Sequence, residues 1–281
     1  LLSRRQRQMC IRDSSRPLYL NGQTLRCEHR HCYDLSRRGV VNLLMSQKSA
    51  DKRHGDDKLM ARSRRDFLDQ GFYKPLLKKI EEIVLPYCPR ETVLLDVGCG
   101  ECWYTANLIS FLMENGKYVT AGGVDISKDA LAIGAKRREN LSLAVASVSR
   151  LPAADSSCDI VLNLFAPFHP QEFSRILKSS GVLVRAVVLE DHLWELKAAV
   201  YDKPYRNPPE KKELAGFALL QYEEVKDEIH LVSSEQVQSL FHMTPYYYKT
   251  GIDDQQKLDS LRELTVRTQF GVLVYKKEGQ L

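Results

Sequence analysis

Val93-Leu94-Leu95-Asp96-Val97-Gly98-Cys99-Gly100-Glu101-Cys102-Trp103-Tyr104-Thr105 decides the fold. The apolar run Val93 to Leu95 reads as a buried parallel strand. It ends at Asp96 and turns through Gly98 and Gly100, and Tyr104 to Leu112 can start a helix. Strand, glycine turn and helix form the nucleotide-cradling unit of doubly wound α/β folds. Such a turn takes unusual backbone angles and brings the ligand close to the main chain, which glycine permits. Dinucleotide sites favour G-x-G-x-x-G, whereas the spacing here is D-x-G-x-G-E. A carboxylate at the strand end repels a pyrophosphate and suits a ligand that carries an ammonium and a sulfonium.

Outward from this turn, helix and strand alternate. A helix runs to about Glu114, followed by the Asn115-Gly116 turn and a strand from Val119 to Val124 that ends at Asp125. Next come a helix over Lys128–Arg138, a strand Leu141–Ala146 leading to Ser147, and a strand from Cys158 to Phe165. Helix Pro170–Leu177 and strand Gly181–Val188 continue the pattern, and 191–203 is helical. The chain closes with strand Glu223–Leu231, helix Ser234–Phe241 and strand Phe270–Tyr275. Upstream, Leu59–Leu68 has helical spacing of apolar residues opposite a basic face, and a second helix runs to about Leu85. The alternation predicts an α/β fold with a mainly parallel sheet and helices on both faces.

The glycine turn resembles the first motif of class I S-adenosylmethionine-dependent methyltransferases, and the last strands match their antiparallel edge. In such sheets the ligand binds at the carboxyl ends of the strands. Gly98 and Gly100 let the backbone approach the methionyl part, beside Asp96. Glu101 complements a helix N-terminus and can also take a ligand ammonium. Asp125 is placed to accept hydrogen bonds from both ribose hydroxyls. Its competing role is an N-cap for the next helix, for which Ser127 is the rival. Ser147 either borders the adenine or is a plain loop serine. Asn163-Leu164-Phe165-Ala166-Pro167 lies where the methyl acceptor sits, so Asn163 and Phe165 are the catalytic candidates. Phe165 either stacks on a planar base or belongs to the core. No residue stands out as the base that would deprotonate an acceptor nitrogen.

The chain has 281 residues and 43% apolar content, enough for a large core. No apolar run reaches the ~18 residues of a membrane span, and no signal peptide is visible. Seven cysteines, several in apolar or motif settings, suggest a reducing, cytoplasmic location. Charge is uneven. Residues 1–70 carry 16 Lys/Arg against 8 Asp/Glu, a net +8, and the remainder nets −3. A basic N-terminal portion suits an anionic partner such as RNA, although solvated charged surface is common. Residues 1–14 show no periodicity and resemble translated adapter read-through, so they read as a non-native leader. Without them, 15–70 still carries +5.

Residues 15–45 are turn-rich and β-like, with the hairpin signal Asn21-Gly22 between Pro17–Leu20 and Thr24–Cys27. Cys27-x-x-x-His31 is the spacing of half a zinc site; otherwise these are a core thiol and a surface histidine. Residues 46–65 are polar and basic and read as a linker.

These segments together resemble the large-subunit (23S) ribosomal RNA guanine-N1-methyltransferases of the RlmA type. The resemblance rests on Arg26-Cys27-Glu28-His29-Arg30-His31, Asp34 and Gly39–Leu44. It continues through Met60-Ala61-Arg62, Arg65, Phe67-Leu68, Gly71 and Tyr73, Asp96–Glu101, His192-Leu193-x-Glu195-Leu196 and Met243-Thr244-Pro245-Tyr246. It implies a zinc-ribbon-like RNA-binding module over 15–45 and a Rossmann-like methyltransferase domain over 66–281. It also implies that Tyr73, Gly100, Glu101 and His192 contact S-adenosylmethionine, and that Cys27 and His31 are two of four zinc ligands. The chain departs from the family twice. The earlier Cys-x-x-Cys pair falls at Ile11 and Ser14, which cannot bind zinc, and Cys10 is a poor substitute; the ligand set is incomplete and zinc is doubtful in this chain. Cys102 stands where many members carry a third glycine, and the turn is expected to form with Cys102 already helical.

The function implied is methylation of N1 of a guanine in a ribosomal RNA hairpin, with that hairpin as partner, no membrane association and a homodimer among the expected assemblies. Two other functions compete. A small-molecule methyltransferase acting on a quinone-type or other metabolite would need no basic module. A non-catalytic RNA-binding protein would have no use for an intact Asp96, Gly98, Gly100 and Asp125.

Overall fold

The computed structural model describes residues 17–44 and 55–278. The expected leader, Cys10, Ile11, Ser14 and the first part of the expected linker lie outside the described residues. Strands β1 (Tyr19–Asn21), β2 (Thr24–Arg26) and β3 (Cys32–Asp34) form a small antiparallel sheet. Its first hairpin turns at Asn21-Gly22, with Asn21 opposite Thr24. The next strand, β4 (Val40–Asn42), lies within the segment assigned to the N-terminal module, yet it pairs in parallel with β7 (Ser142–Val145) of the large sheet.

That sheet also contains β5 (Glu91–Val97), β6 (Tyr118–Asp125), β8 (Cys158–Leu164), β9 (Leu177–Val188), β10 (Phe217–Leu231) and β11 (Leu264–Lys277). The order is β10-β11-β9-β8-β5-β6-β7-β4. From β9 to β4 the neighbours are parallel, and β11 and β10 add antiparallel at the other edge. All seven residues of β8 are buried, as a central parallel strand covered on both faces demands, including the polar Asp159 and Asn163. Alternation sends neighbouring strand residues to different clusters of the core. Leu94, Ile160, Leu162 and Val184 join one cluster, whereas Val161 and Leu183 join another.

Helices α1 (Lys58–Asp69), α2 (Lys74–Val84), α3 (Trp103–Glu114), α4 (Lys128–Gly134), α5 (Pro170–Ile176), α6 (Trp194–Val200), α7 (Ser234–His242) and α8 (Ile252–Gln256) complete the described fold. α1 is capped by Asp57, whose carboxylate accepts from the Met60 N–H at 2.9 Å, and it buries Met60, Ala61, Phe67 and Leu68. α4 stops four residues before the expected Arg138, because Arg137 and Arg138 turn back onto the glycine turn and onto Ser110 of α3. α6 is shorter than the expected 191–203, since Leu193 before it holds a left-handed φ of 55°. β10 and β11 run longer than their apolar cores. They pair with each other over nearly their whole length, and solvent-facing polar residues hid that extent in the sequence.

After β5 the chain adds strands on one side, and from β8 onward it adds them on the other. The topological switch point therefore lies between β5 and β8, where ligands of open α/β sheets bind. Among the described residues no helix is long and apolar enough to cross a membrane.

Candidate active site

A cavity of about 750 Å³ opens over the carboxyl ends of β5, β6, β7 and β8. Tyr73, Asp96, Gly98, Gly100, Glu101, Asp125, Ser147, Phe165 and His192 all line it; Asn163 does not. The glycines differ in what they make room for. Gly98 has φ +84°, and a Cβ there would lie 2.2 Å from the Ala166 Cβ, so its lack of a side chain admits the loop after β8. Gly100 has φ +53°, and a Cβ there would come no closer than 3.6 Å, to the Arg64 guanidinium. At Gly100 the free space belongs to the cavity. Cys102 is not helical, contrary to the expectation. It takes φ +63° as the residue before α3, and its thiol is buried. The turn thus keeps a third left-handed position but fills it with a side chain.

Asp125 hangs from two backbone donors, the Gly100 N–H at 2.8 Å on one oxygen and the Ser127 N–H at 2.8 Å on the other. Ser127, not Asp125, caps α4, its hydroxyl accepting from the Ala130 N–H. Each Asp125 oxygen accepts one backbone donor and has capacity for a second, and the residue lines the cavity, which suits a vicinal diol. Burial raises the Asp125 carboxyl above the usual range. Asp96 is buried, and one of its oxygens accepts from the Thr105 hydroxyl. Its Oδ1 has no hydrogen-bond partner among the described residues, and burial pushes its pKa up to about 7. An unsatisfied buried carboxylate oxygen in a cavity fits a cationic ligand. Glu101 is also buried, which raises its carboxyl, and it is ion-paired with Arg137, which reaches Asp69 at 2.8 Å as well.

Tyr73 and His192 pack on each other and on Phe270, with ring centroids 4.9 Å (Tyr73–Phe270) and 4.6 Å (His192–Phe270) apart. Burial raises the Tyr73 phenol and drives His192 down to about 3, so the imidazole is neutral. The Gln269 N–H donates to His192 Nδ1 at 3.1 Å, which leaves Nε2–H as the donor. Ser147 shares its hydroxyl with Ser149 at 2.8 Å at the cavity wall.

The loop after β8 removes one of the two roles open to Phe165. Its side chain is 45% exposed, which excludes the core, and it lines the cavity with φ +59°. A left-handed aromatic residue is a backbone outlier of the kind that clusters at functional sites. Asn163 is buried, and its amide works inside the protein. Nδ2 donates to the Pro167 carbonyl at 3.1 Å, and Oδ1 accepts from Arg185 Nε at 3.3 Å.

Residues 14–52 match the family described as "RlmA, N-terminal", and residues 95–185 match "Methyltransferase domain". The chain is 31% identical over 270 residues to the Bacillus subtilis (strain 168) protein named "Putative 23S rRNA (guanine-N(1)-)-methyltransferase YxjB", covering 92% of each. The chain belongs to the 23S rRNA (guanine-N1)-methyltransferase family. A second family member, the 23S rRNA (guanine(748)-N(1))-methyltransferase of Streptomyces fradiae, is 33% identical over 192 residues, 66% of this chain and 64% of the relative. Among solved structures, the YcgJ protein of Bacillus subtilis overlaps 72% of this chain and 98% of its own at 15% identity, with a TM-score of 0.48.

As a class I methyltransferase the chain uses S-adenosylmethionine, and the unsatisfied Asp96 oxygen, the open Gly100 backbone and the tethered Asp125 fit such a ligand. Zinc fits less well. Cys27 Sγ and His31 Nδ1 stand 3.4 Å apart, as two ligands of one ion would. Cys32 instead donates to the Arg30 carbonyl, and among the described residues no three His, Cys, Asp or Glu side chains group to hold a metal. Those residues supply half a zinc site.

Several lining residues were not singled out from the sequence. Arg64, on the basic face of α1, is ion-paired with Asp56 and donates to the Met243 carbonyl at 3.0 Å. It thereby ties α1 to the Met243-Thr244-Pro245-Tyr246 segment, which also lines the cavity. Arg185 and Glu210, paired at 3.2 Å, also line the cavity. No local pattern marks them. The resemblance at Met60–Tyr73 and Met243–Tyr246 was the available pointer to Arg64.

Proposed function

We infer that this chain transfers a methyl group from S-adenosylmethionine to N1 of a guanine in a 23S ribosomal RNA hairpin. In this reading Gly100 and Asp96 face the methionyl part, Asp125 takes the ribose hydroxyls, and Ser147 borders the adenine. Glu101, held by Arg137, adds a negative charge near the ligand ammonium, and Tyr73 and neutral His192 close the wall. The bound cofactor supplies an activated methyl; the protein supplies alignment, which carries much of the rate in such displacements.

The observation that carries the reading is Phe165, an exposed ring on strained backbone beside the cofactor end of one cavity. A planar base flipped from RNA stacks on such a ring. Hairpin loops expose bases at least cost and are the usual targets of sequence-specific RNA recognition. The basic 15–70 region would then hold the phosphate backbone. Ribosomal RNA as substrate places the work in the cytoplasm.

The test uses pure protein, labelled S-adenosylmethionine and 23S ribosomal RNA transcribed without modifications. Label in the RNA and one new reverse-transcription arrest at a guanine are expected, because an N1-methyl blocks base pairing. Calorimetric cofactor binding with no label in RNA would sink the reading and favour a small-molecule acceptor.

A further inference from the structure

The reaction removes a proton from guanine N1, and the cavity holds a group suited to receive it. Of the acidic residues lining the cavity, Asp56, Asp96, Glu101 and Asp125 gather around the glycine turn, bonded to Arg64, Thr105, Arg137 and Gly100. Glu210 stands apart, against β9, where its Oε1 pairs with Arg185 Nη1 at 3.2 Å. Arg185 is fixed in turn. Its Nε donates to Asn163 Oδ1 at 3.3 Å, and its guanidinium lies 5.2 Å from the Phe168 ring centroid. Asn163 Nδ2 donates to the Pro167 carbonyl. The Glu210 carboxylate is therefore indexed, through two side chains, to the loop that holds Phe165.

Resting on the guanine reading above, we propose that Glu210 is the base that recognises and deprotonates the acceptor guanine. Guanine presents N1–H and N2–H side by side, two donors that one carboxylate accepts together, with O6 beside them as an acceptor for a guanidinium. Adenine offers an acceptor at N1 and does not fit this pair. Glu210 accepts the N1 proton, and Arg185 holds the negative charge that develops on O6. The N1 lone pair forms the new N–CH₃ bond as the methyl–sulfur bond breaks, its electron pair staying on sulfur. The proton then leaves Glu210, whose side chain is partly exposed, for solvent. Asn163 acts through Arg185 and is a positioning residue. The charged and titratable groups facing Glu210 are Arg185 from β9 and the Tyr275 phenol from β11, which donates to the Lys212 carbonyl.

The deciding experiment compares full-length wild type with Glu210→Gln on unmodified 23S ribosomal RNA across pH, with cofactor affinity measured by calorimetry. The amide keeps a contact to Arg185 but cannot take a proton. Expected are an unchanged cofactor affinity and a methylation rate at pH 7 down roughly 10²–10⁴-fold. The variant's rate should then climb about tenfold per pH unit as solvent removes the N1 proton, approaching wild type at alkaline pH. A merely structural ion pair would not produce that rescue. Glu210→Gln within threefold of wild type at pH 7, or a slow variant with a flat pH profile, overturns the assignment. Wild type that binds cofactor but leaves the RNA unlabelled overturns the guanine reading, and this assignment with it.

Discussion

The loops after β5 and after β8 face each other across one cavity, and both need left-handed backbone. The first meets the need with Gly98 and Gly100, the second with Phe165. Glycine adopts that conformation at no steric cost, so the first loop is relaxed at Gly98 and Gly100, and only Cys102 at its end holds a side chain at positive φ. An aromatic residue does so at roughly 1–2 kcal/mol, so the second loop is held by its surroundings, including the Ala186 carbonyl that accepts from the Phe165 N–H at 2.9 Å. The difference separates their tasks. One loop leaves backbone open to the cavity, and the other holds an exposed ring on the cavity wall.

The comparison breaks most severely at Gly98. Alanine there combines a positive φ with overlap on Ala166, and should cost about 2–5 kcal/mol of stability in urea melts. Adding Ala166→Gly should recover the overlap part but not the φ part, a non-additivity that a double-mutant cycle reads. Equal losses with and without Ala166→Gly would show that the two loops do not share this contact.

Asp125→Ala removes the acceptor for the Gly100 and Ser127 N–H groups together with the proposed ribose contacts. S-adenosylmethionine affinity should fall about a hundredfold by calorimetry, from two bonds to a charged group at about 1.5 kcal/mol each. Wild-type affinity in this variant would remove Asp125 from the cofactor site.

At the second loop, Phe165→Ala should lower kcat/KM for RNA roughly tenfold to hundredfold, the size of one base–aromatic stack, and leave cofactor affinity alone. Phe165→Gly should match that kinetic loss yet be about 1 kcal/mol more stable than the alanine variant, since only glycine is free at φ +59°. Equal stability of the two would mean that the backbone at 165 relaxes once the ring is gone.

A smaller effect concerns protons. With its folded pKa raised to about 7 from an ordinary 3.8, Asp96 stabilises the unliganded fold in its neutral form. That contribution is complete below the unfolded value and is lost as pH rises through about 7. A cationic ligand draws the pKa down, so cofactor binding near pH 6 should release up to one proton. Calorimetry in buffers of different ionisation enthalpy detects it, and Asp96→Asn should abolish it. The smallest effect is at Cys102, where glycine relieves a left-handed residue but leaves a small void beside Gly134. These oppose, and the net change in melting stability should stay within about 1 kcal/mol.

Much of the large sheet could be read from the chain, because strand, turn and helix signals are local. Val93–Leu95, the Gly98–Gly100 turn and the stop at Asp125 each carry their meaning within a few residues. The N-terminal hairpin at Asn21-Gly22 was legible for the same reason. What escaped depends on contacts far apart in sequence. β4 is three residues long, with no periodicity to betray that its partner, β7, lies about 100 positions downstream. Arg64 meets Met243, and Arg185 meets both Asn163 and Glu210, only because the strand order brings them together. Asn163 drew notice by its place after an apolar run, but its amide proved to be bound within the protein. Phe165 was undecidable between core and cavity until its exposure was known. Cys102 was expected to be helical; the side chain of a non-glycine residue gives no sign that its φ is positive.

β4 also changes how this protein could be cut and recombined. Val41 and Leu43 are buried, and the Leu43 N–H donates to the Val145 carbonyl, so the segment seals one margin of the large sheet. A truncation that discards the N-terminal module as an appendage would strip that seal and leave β7 as an unpaired edge, open to pairing between molecules. Chimeras that exchange N-terminal modules between relatives therefore have their natural seam before Val40, with residues 40–44 travelling with the large sheet.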